Sequence, residues 1–305
     1  MKILIAEDNH VSACLLERAL SAWGYEVTIA RSGTEAWAAL SREDGPKMAI
    51  LDWVMPGMDG IEVCREVRKL AREPYPYLLL LTSKEDEADV VAGLEAGADD
   101  FVTKPFRPLE LRARLGTGRR LLRLQDALIA AREEVRMLAT HDVLTGIWNR
   151  RAIMDHLSSE LSRCGRHRLP IGVIMGDLDH FKQINDTFGH AAGDAVLQEA
   201  ASRIKSSLRP YDATGRYGGE EFLIVVPECT VTGVTSVAER ILATFRNRPF
   251  SLSGEAHAVT ISLGIAACSL ASARQMELVL EVADQALYRA KSAGRDRFEL
   301  TEFQH

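Results

Sequence analysis

Five short apolar runs, each followed by an amphipathic stretch, fill the first third of this 305-residue chain. Residues 3–6, 26–30, 48–51, 77–81 and 101–102 have the composition of buried strands, and segments such as 11–23 and 34–40 space their apolar residues as helices do. Strands that alternate with helices are joined by crossovers, so they pair in parallel and are covered on both faces. The fold expected for this part is therefore an α/β, doubly wound parallel sheet with ligands beyond the carboxyl ends of its strands.

Those strand ends are where the acids lie. Glu7 and Asp8 follow the first strand and Asp52 follows the third, so three carboxylates should converge in one pocket. Such a cluster is unstable without a divalent cation or a shifted pKa. Thr82 ends the fourth strand and Lys104 follows the fifth, adding a hydroxyl and an ammonium to the same rim; Lys104-Pro105 is a candidate cis peptide.

From Leu109 the pattern turns helical and stays so to about Ala139. Leu121, Leu124, Leu128, Ala131, Val135 and Leu138 alternate three- and four-residue steps, the a/d seam of a short coiled coil. A single amphipathic helix packed on its own domain would carry the same stripe. Gly116-Thr117-Gly118 precedes the seam, and two glycines weaken a helix enough to mark a hinge.

A second α/β unit follows His141. Residues 151–163 read as a helix, 171–175 as a strand running into Asp177, and Leu197, Ala200, Ala201, Ile204 and Leu208 as a helical stripe. A helix over 237–245, a strand over 259–266 and a last helix over 278–290 complete an antiparallel-rich sheet flanked by helices, an α+β arrangement. Gly218-Gly219-Glu220-Glu221-Phe222 opens a hydrophobic run with two adjacent carboxylates. Glycines there permit positive φ and close approach of a phosphate, and the acids suit Mg²⁺; an ordinary hairpin with solvated acids has the same sequence. If Asp177 lies beside this turn, Asp177, Glu220 and Glu221 form a cluster able to hold two metals for in-line attack on phosphate. Lys182, Lys291 and Arg295 could neutralise a triphosphate. Asn185 and Asp194 suit a guanine edge, although Asp194 alone reads as the N-cap of a helix beginning near Ala195.

A net charge of −6 argues against a general nucleic-acid binder, and the absence of a basic recognition helix against a DNA-binding regulator. Hydrophobic residues make up 47% and charged residues 26%, as in a soluble globular protein. Five scattered cysteines form no zinc or redox motif, the apolar run after Met1 is too short for a signal peptide, and no run reaches membrane-spanning length. The expectation is a cytoplasmic protein with reduced thiols and no membrane or nucleic-acid partner.

Two family resemblances follow from these motifs. Residues 1–118 resemble the receiver domains of two-component response regulators, a flavodoxin-like fold, through Glu7-Asp8, Asp52-Trp53-Val54-Met55-Pro56-Gly57-Met58-Asp59-Gly60, Thr82 and Lys104-Pro105-Phe106. The resemblance implies that Asp52 accepts a phosphoryl group from a cognate histidine kinase. Glu7, Asp8, Asp52 and the Val54 carbonyl would hold Mg²⁺ or Mn²⁺. Thr82 and Lys104 would grip the phosphoryl oxygens, with Phe101 at the aromatic switch position.

Residues 140–305 resemble the GGDEF domain of diguanylate cyclases, of nucleotidyl-cyclase-like fold, joined to the receiver by a helical or coiled-coil linker over 119–139. The matching motifs are His141-Asp142-Val143-Leu144-Thr145-Gly146-Ile147-Trp148-Asn149-Arg150-Arg151, Asp177 through Asp186, Gly189-His190, Gly193-Asp194, Arg216 through Phe222, Ser262 through Ala266, and Ala283 through Tyr288 with Gly294-Arg295. The resemblance implies that Asp177, the Leu178 carbonyl, Glu220 and Glu221 bind Mg²⁺ or Mn²⁺, with Glu220 assisting catalysis. Asn185 and Asp194 would read guanine. Lys182, Lys291, Arg295 and backbone near His180 and Phe181 would hold phosphates beside Gly218 and Gly219. Two such domains, each with one GTP, must face each other to make cyclic di-GMP and two pyrophosphates, so a homodimer through the linker helix is expected.

Arg209-Pro210-Tyr211-Asp212 matches the family's inhibitory RxxD motif, implying a product site of Arg209, Asp212 and Arg240; alone it reads as a surface ion pair. The function implied is a phosphorylation-activated diguanylate cyclase with product inhibition. The alternatives are a catalytically silent GGDEF domain serving as a cyclic di-GMP receptor and a cyclase making mixed purine dinucleotides.

Overall fold

The computed structural model describes residues 1–83, 87–252, 254–268 and 275–303. The chain divides into two compact units, Met1–Glu133 and Glu134–His305.

In the first unit, β1 (Lys2–Ala6), α1 (His10–Ala22), β2 (Glu26–Ala30), α2 (Gly33–Leu40), β3 (Met48–Asp52), α3 (Gly60–Lys69), β4 (Tyr77–Thr82), α4 (Glu87–Glu95) and β5 (Asp100–Thr103) alternate along the chain. The strands pair in parallel in the order β2-β1-β3-β4-β5. Because strand side chains alternate between faces, the sheet carries two cores. Ile3, Ile5, Met48, Ile50, Leu79 and Leu81 pack with Leu16, Leu20, Leu111 and Leu115 on one face. Leu4, Ala6, Ala49, Leu51, Leu78 and Leu80 pack with Ala36, Leu40, Ile61 and Val63 on the other. Every residue of β3 and β4 is buried, which is why these strands read as unbroken apolar runs. The Lys104-Pro105 peptide is cis.

Helix α5 (Pro108–Thr140) starts with proline at its first position, where no N–H is needed. It then runs unbroken through Gly116 and Gly118, so the expected hinge is absent. A Cβ on Gly118 would lie 2.4 Å from the Tyr77 ring, whereas one on Gly116 would meet nothing within 4 Å. Gly118 is there for close approach of helix to sheet. The seam is also shorter than its spacing implied: Leu121 packs against the receiver core. Leu124, Leu128, Val135 and Leu138 are 68%, 71%, 65% and 59% exposed among the described residues, an apolar stripe facing outward.

The second unit contains α6 (Arg150–His167), β6 (Ile171–Leu178), α7 (Phe181–Phe188), α8 (His190–Ser206), β7 (Ala213–Arg216), β8 (Glu221–Pro227), α9 (Val231–Asn247), β9 (Phe250–Leu252), β10 (Glu255–His257), β11 (Ile261–Cys268), α10 (Met276–Ser292) and β12 (Phe298–Phe303). Its main sheet has the order β12-β11-β6-β8-β7, antiparallel throughout except for β11 with β12. Helices α8 and α9 close one face and α6 and α10 the other. The short α7, the β9–β10 hairpin and β12 were not legible beforehand. Asp194 is not an N-cap: α8 begins at His190, and Asp194 lies within its second turn. Asn149 caps α6 through Ala152 N (2.9 Å), and its amide donates to Ala139 O (2.9 Å), tying the end of α5 to α6.

Candidate functional site

In the receiver-like unit, parallel strands 1, 3, 4 and 5 deliver their last residues to one sheet edge. Glu7 is almost fully buried, Asp52 buried and Asp8 exposed. One carboxylate oxygen from each lies within 4.8 Å of the others, the single such trio of acids among the described residues. The Lys104 ammonium bridges Glu7 Oε2 (2.7 Å) and Asp52 Oδ2 (2.8 Å), and Lys104 N donates to Thr82 O (2.7 Å), bringing four predicted residues together. Burial, together with the nearby Asp52 charge, raises the Glu7 carboxyl pKa in spite of Lys104. Burial would lower the Lys104 pKa, but its bonds to Asp52 and Glu7 prevail and raise it. These hard oxygens, two from buried acids and one from an exposed acid, fit a divalent cation. Val54 is exposed two residues beyond Asp52, and Phe101 is half-buried with the Arg114 guanidinium 5.8 Å from its ring centre.

In the second unit the register of β6 against β8 sets Asp177 opposite Glu221, with Glu220 one residue earlier in the hairpin. Leu178 N donates to Glu220 O (3.3 Å), so the carboxyl end of β6 and the glycine turn are physically joined. Neither Gly218 nor Gly219 uses the positive φ that glycine permits. What Gly218 provides is room: a Cβ there would sit 2.2 Å from Glu221 Oε2. Asp177, Glu220 and Glu221 do not converge as tightly as Glu7, Asp8 and Asp52. Lys291, at the end of α10, instead reaches Asp177 Oδ2 at 2.8 Å. Burial raises the Asp177 pKa, and burial followed by the charge of Asp177 raises that of Glu220. The carboxylates of Asp177, Glu220 and Glu221 at this joined strand end and hairpin remain a fitting donor set for a hard cation.

Lys182 is exposed, His180 precedes α7 in a left-handed conformation, and Phe181 is buried beneath them. Asn185 packs directly on Gly193, where a Cβ would be 1.9 Å from its Oδ1, so Asn185 and Asp194 lie on neighbouring turns of α7 and α8. Arg295 is exposed beyond α10, and its charge, like that of Lys291, opposes the rise that burial imposes on the Asp177 pKa.

Arg209 and Asp212 do not form the side-chain pair their spacing invited. Asp212 Oδ2 accepts from Arg209 N (2.8 Å), and the Arg209 guanidinium turns to Tyr211 Oη (2.9 Å). Arg240 donates to Ser207 O from Nε (3.2 Å) and from a terminal nitrogen (2.9 Å), which places it at the root of the same turn. A cavity of about 370 Å³ beside the turn is lined by Arg209, Asp212, Lys205, Trp148 and Thr214.

Two structural acids were missed. Asp142 accepts from Thr145 N (2.9 Å) and Oγ1 (2.7 Å) and pairs with Arg216 (3.3 Å), whose guanidinium also grips Gly219 O (2.8 Å). Burial works against the Asp142 charge, but these donors prevail and lower its pKa. An Asp three residues before a Thr is a local capping signal, and it was available in the sequence. Asp179, almost fully buried, accepts from Thr260 Oγ1 (2.7 Å), Ser262 Oγ (2.7 Å) and Asp296 N (3.1 Å). Its donors lie 81 to 117 residues away, so spacing had no means of revealing it.

A five-stranded parallel sheet with an acidic edge, followed by an antiparallel unit with a Gly-Gly-Glu-Glu hairpin, defines a receiver-linked nucleotidyl cyclase class. Residues 139–297 match the family described as "Diguanylate cyclase, GGDEF domain", and residues 3–116 the "Response regulator receiver domain". The chain belongs to the GGDEF diguanylate cyclase family, with a receiver domain preceding the GGDEF domain. It is 32% identical over 297 residues to the response regulator PleD of Caulobacter vibrioides, covering 97% of this chain and 64% of PleD. It is 43% identical over 168 residues to the diguanylate cyclase DgcP of Pseudomonas aeruginosa, covering 55% of this chain and 25% of that protein. The chain thus spans less than two thirds of these relatives. Among solved structures it resembles the coiled coil and GGDEF domain of DgcB from Caulobacter crescentus in complex with c-di-GMP (32% identity, TM-score 0.54, 64% of this chain and all of that one). It also resembles the diguanylate cyclase SiaD of Pseudomonas aeruginosa with its activator SiaC (34% identity, TM-score 0.52, 64% of this chain and 73% of that one). Among the described residues, no helix is long and apolar enough to cross a membrane.

Proposed function

We propose that this protein is a phosphorylation-activated diguanylate cyclase that condenses two GTP into cyclic di-GMP and two pyrophosphates. The observation that carries the reading is the β6–β8 register, which opposes Asp177 and Glu221 beside Glu220 and within reach of Lys291. Asp177, Glu221, Glu220 and the Leu178 carbonyl would hold Mg²⁺ or Mn²⁺, which supplies charge neutralisation at the reacting phosphate. Lys182, Lys291 and Arg295 bind the triphosphate, while Asn185 and Asp194 take the guanine edge. Glu220, its pKa raised by burial and by Asp177, is suited to accept the proton of the attacking 3′-hydroxyl. Each new bond joins a 3′-oxygen to an α-phosphorus as the bond from that phosphorus to pyrophosphate breaks. Two GTP-loaded domains must therefore face each other, and the exposed stripe from Leu124 to Leu138 provides a surface for pairing two chains.

Asp52 is the nucleophile for a phosphoryl group from a histidine kinase, with Glu7, Asp8 and the Val54 carbonyl holding the cation. Thr82 and Lys104 contact the phosphoryl oxygens and Phe101 follows them, biasing a bistable arrangement of the linker over 119–139. Arg209, Asp212 and Arg240 form an inhibitory product site; the complex of the DgcB relative with c-di-GMP supports cyclic di-GMP as its ligand.

The test is GTP turnover with and without beryllofluoride, comparing wild type with Asp52→Asn and Glu220→Gln. Cyclic di-GMP production stimulated by beryllofluoride in wild type, unstimulated in Asp52→Asn and lost in Glu220→Gln is expected. Absence of GTP consumption in the stimulated wild type would refute the reading.

A further inference from the structure

Arg295 sits in an unusual piece of backbone. Gly294, Arg295 and Asp296 have φ of 112°, 61° and 48°, three successive residues on the positive side, two of them with side chains. L-residues avoid this region because Cβ crowds the neighbouring carbonyl, so the turn must be held by contacts elsewhere. Arg295 N donates to Ala290 O (3.0 Å) and Arg297 Nε to Arg295 O (3.3 Å), and two further side chains hold Asp296. Asp296 N donates to Asp179 Oδ2 (3.1 Å), and the Asp296 carboxylate is gripped by Arg246 Nε (3.0 Å to each oxygen). Thr260, on the same Asp179 oxygen, and Ser262, on the other, anchor the Asp179 carboxylate to the start of β11, and Asp179 N donates to Thr260 O (2.9 Å). Asp179 thus links the end of β6, which carries Asp177, to the turn that carries Arg295.

We propose that Asp179 is a positioning residue of the nucleotide site: its buried carboxylate clamps the left-handed turn and so aims the Arg295 guanidinium at the triphosphate. The proposal rests on the GTP reading above. The Asp179 carboxylate is buried and held by three donors on two segments, which makes it unsuited to contact substrate itself. Its effect reaches GTP only through Arg295. Asp179 and Arg295 are then one functional unit, and their losses do not add.

The experiment uses the full chain and compares Asp179→Ala, Asp179→Asn, Arg295→Ala and the double variant Asp179→Ala with Arg295→Ala. Equilibrium binding of a non-hydrolysable GTP analogue, steady-state kinetics and amide exchange at Asp296 are measured. Asp179→Ala should accelerate Asp296 exchange and raise KM about 10-fold, as Arg295→Ala does, with kcat changed by less than about threefold. The double variant should match Arg295→Ala alone. Asp179→Asn, whose amide oxygen still accepts from Asp296 N and Thr260 while its NH₂ donates to Ser262, should recover most of the affinity. Should Asp179→Ala fail to fold, Asp179→Ser, whose single hydroxyl is too short to span Thr260, Ser262 and Asp296 N together, releases the turn and should reproduce the loss.

Wild-type affinity in a variant whose Asp296 exchange is accelerated, or additive losses in the double variant, would overturn the proposal. A wild type that binds no GTP analogue would overturn the nucleotide reading and this proposal with it. Binding that is indifferent to Asp179 overturns the proposal alone.

Discussion

Lys104 lies between two acids that burial would otherwise keep from being charged together. It satisfies Glu7 and Asp52 at 2.7 and 2.8 Å, and it is the one cation paired with the almost fully buried Glu7 side chain among the described residues. Lys104→Ala should cost about 1–3 kcal/mol in urea unfolding at neutral pH in chelator. The sign of the pH dependence follows from Glu7, whose pKa is raised by burial. Its contribution to stability is fully present below the ordinary carboxylate pKa and is lost as pH rises through the raised value. Once Glu7 takes up a proton it needs no ammonium. The gap between wild type and variant should therefore narrow as the pH falls toward the ordinary carboxylate range. A gap independent of pH would mean that Lys104 acts by packing alone. Asp177, raised by burial in the same sense, gives a second prediction at this scale. Asp177→Asn should leave the melting temperature at neutral pH at or above that of wild type while lowering cyclisation by at least about 100-fold. A calorimetric scan beside a turnover assay checks both halves.

At the scale of elements, α5 carries two glycines that look alike in sequence and differ in surroundings. Gly116→Ala should stabilise the chain by about 0.5–1 kcal/mol, because the helix gains propensity and nothing is displaced. Gly118→Ala drives a methyl into the Tyr77 ring and should destabilise by about 1–3 kcal/mol despite the same propensity gain. Opposite signs in paired denaturant titrations are the expected result; equal signs would contradict the packing. Farther along the helix, Leu128 is 71% exposed with neighbouring stripe residues equally bare. If that stripe pairs two chains, Leu128→Asp removes about 1.5–3 kcal/mol of apolar burial at the contact. The dimer dissociation constant in sedimentation should rise by about 10- to 100-fold, without loss of helicity.

For the whole molecule, the proposed chemistry needs two GTP-bearing domains, so activity is tied to association. Specific activity should rise with protein concentration and reach a plateau, and beryllofluoride should move the midpoint to lower concentration in wild type and leave it in place in Asp52→Asn. A specific activity independent of concentration over the range where sedimentation shows dissociation would exclude a site shared between chains. Arg209→Ala should relieve inhibition by added cyclic di-GMP; unchanged inhibition would remove the product site from the Arg209–Asp212 turn.

Much of this was readable from the chain itself wherever the signal is local or periodic. The five parallel strands announced themselves because strands buried on both faces are unbroken apolar runs, and chain direction alone puts Glu7, Asp8, Asp52, Thr82 and Lys104 at one edge. The Gly-Gly-Glu-Glu turn and its acids were equally plain, as was the long helix after Leu109. What spacing cannot express is which distant groups meet. The three donors to Asp179, the Lys291–Asp177 contact and the Tyr77 ring that requires Gly118 all join residues far apart in the chain. At Gly218 the close constraint is local: the Glu221 carboxylate folds over it, and the glycine does not use the positive φ open to it. Residue type and period decided the elements and the chemistry each brings. Tertiary packing alone decided which charges neutralise one another and which turn is held strained, because those depend on distances that only the closed sheet creates.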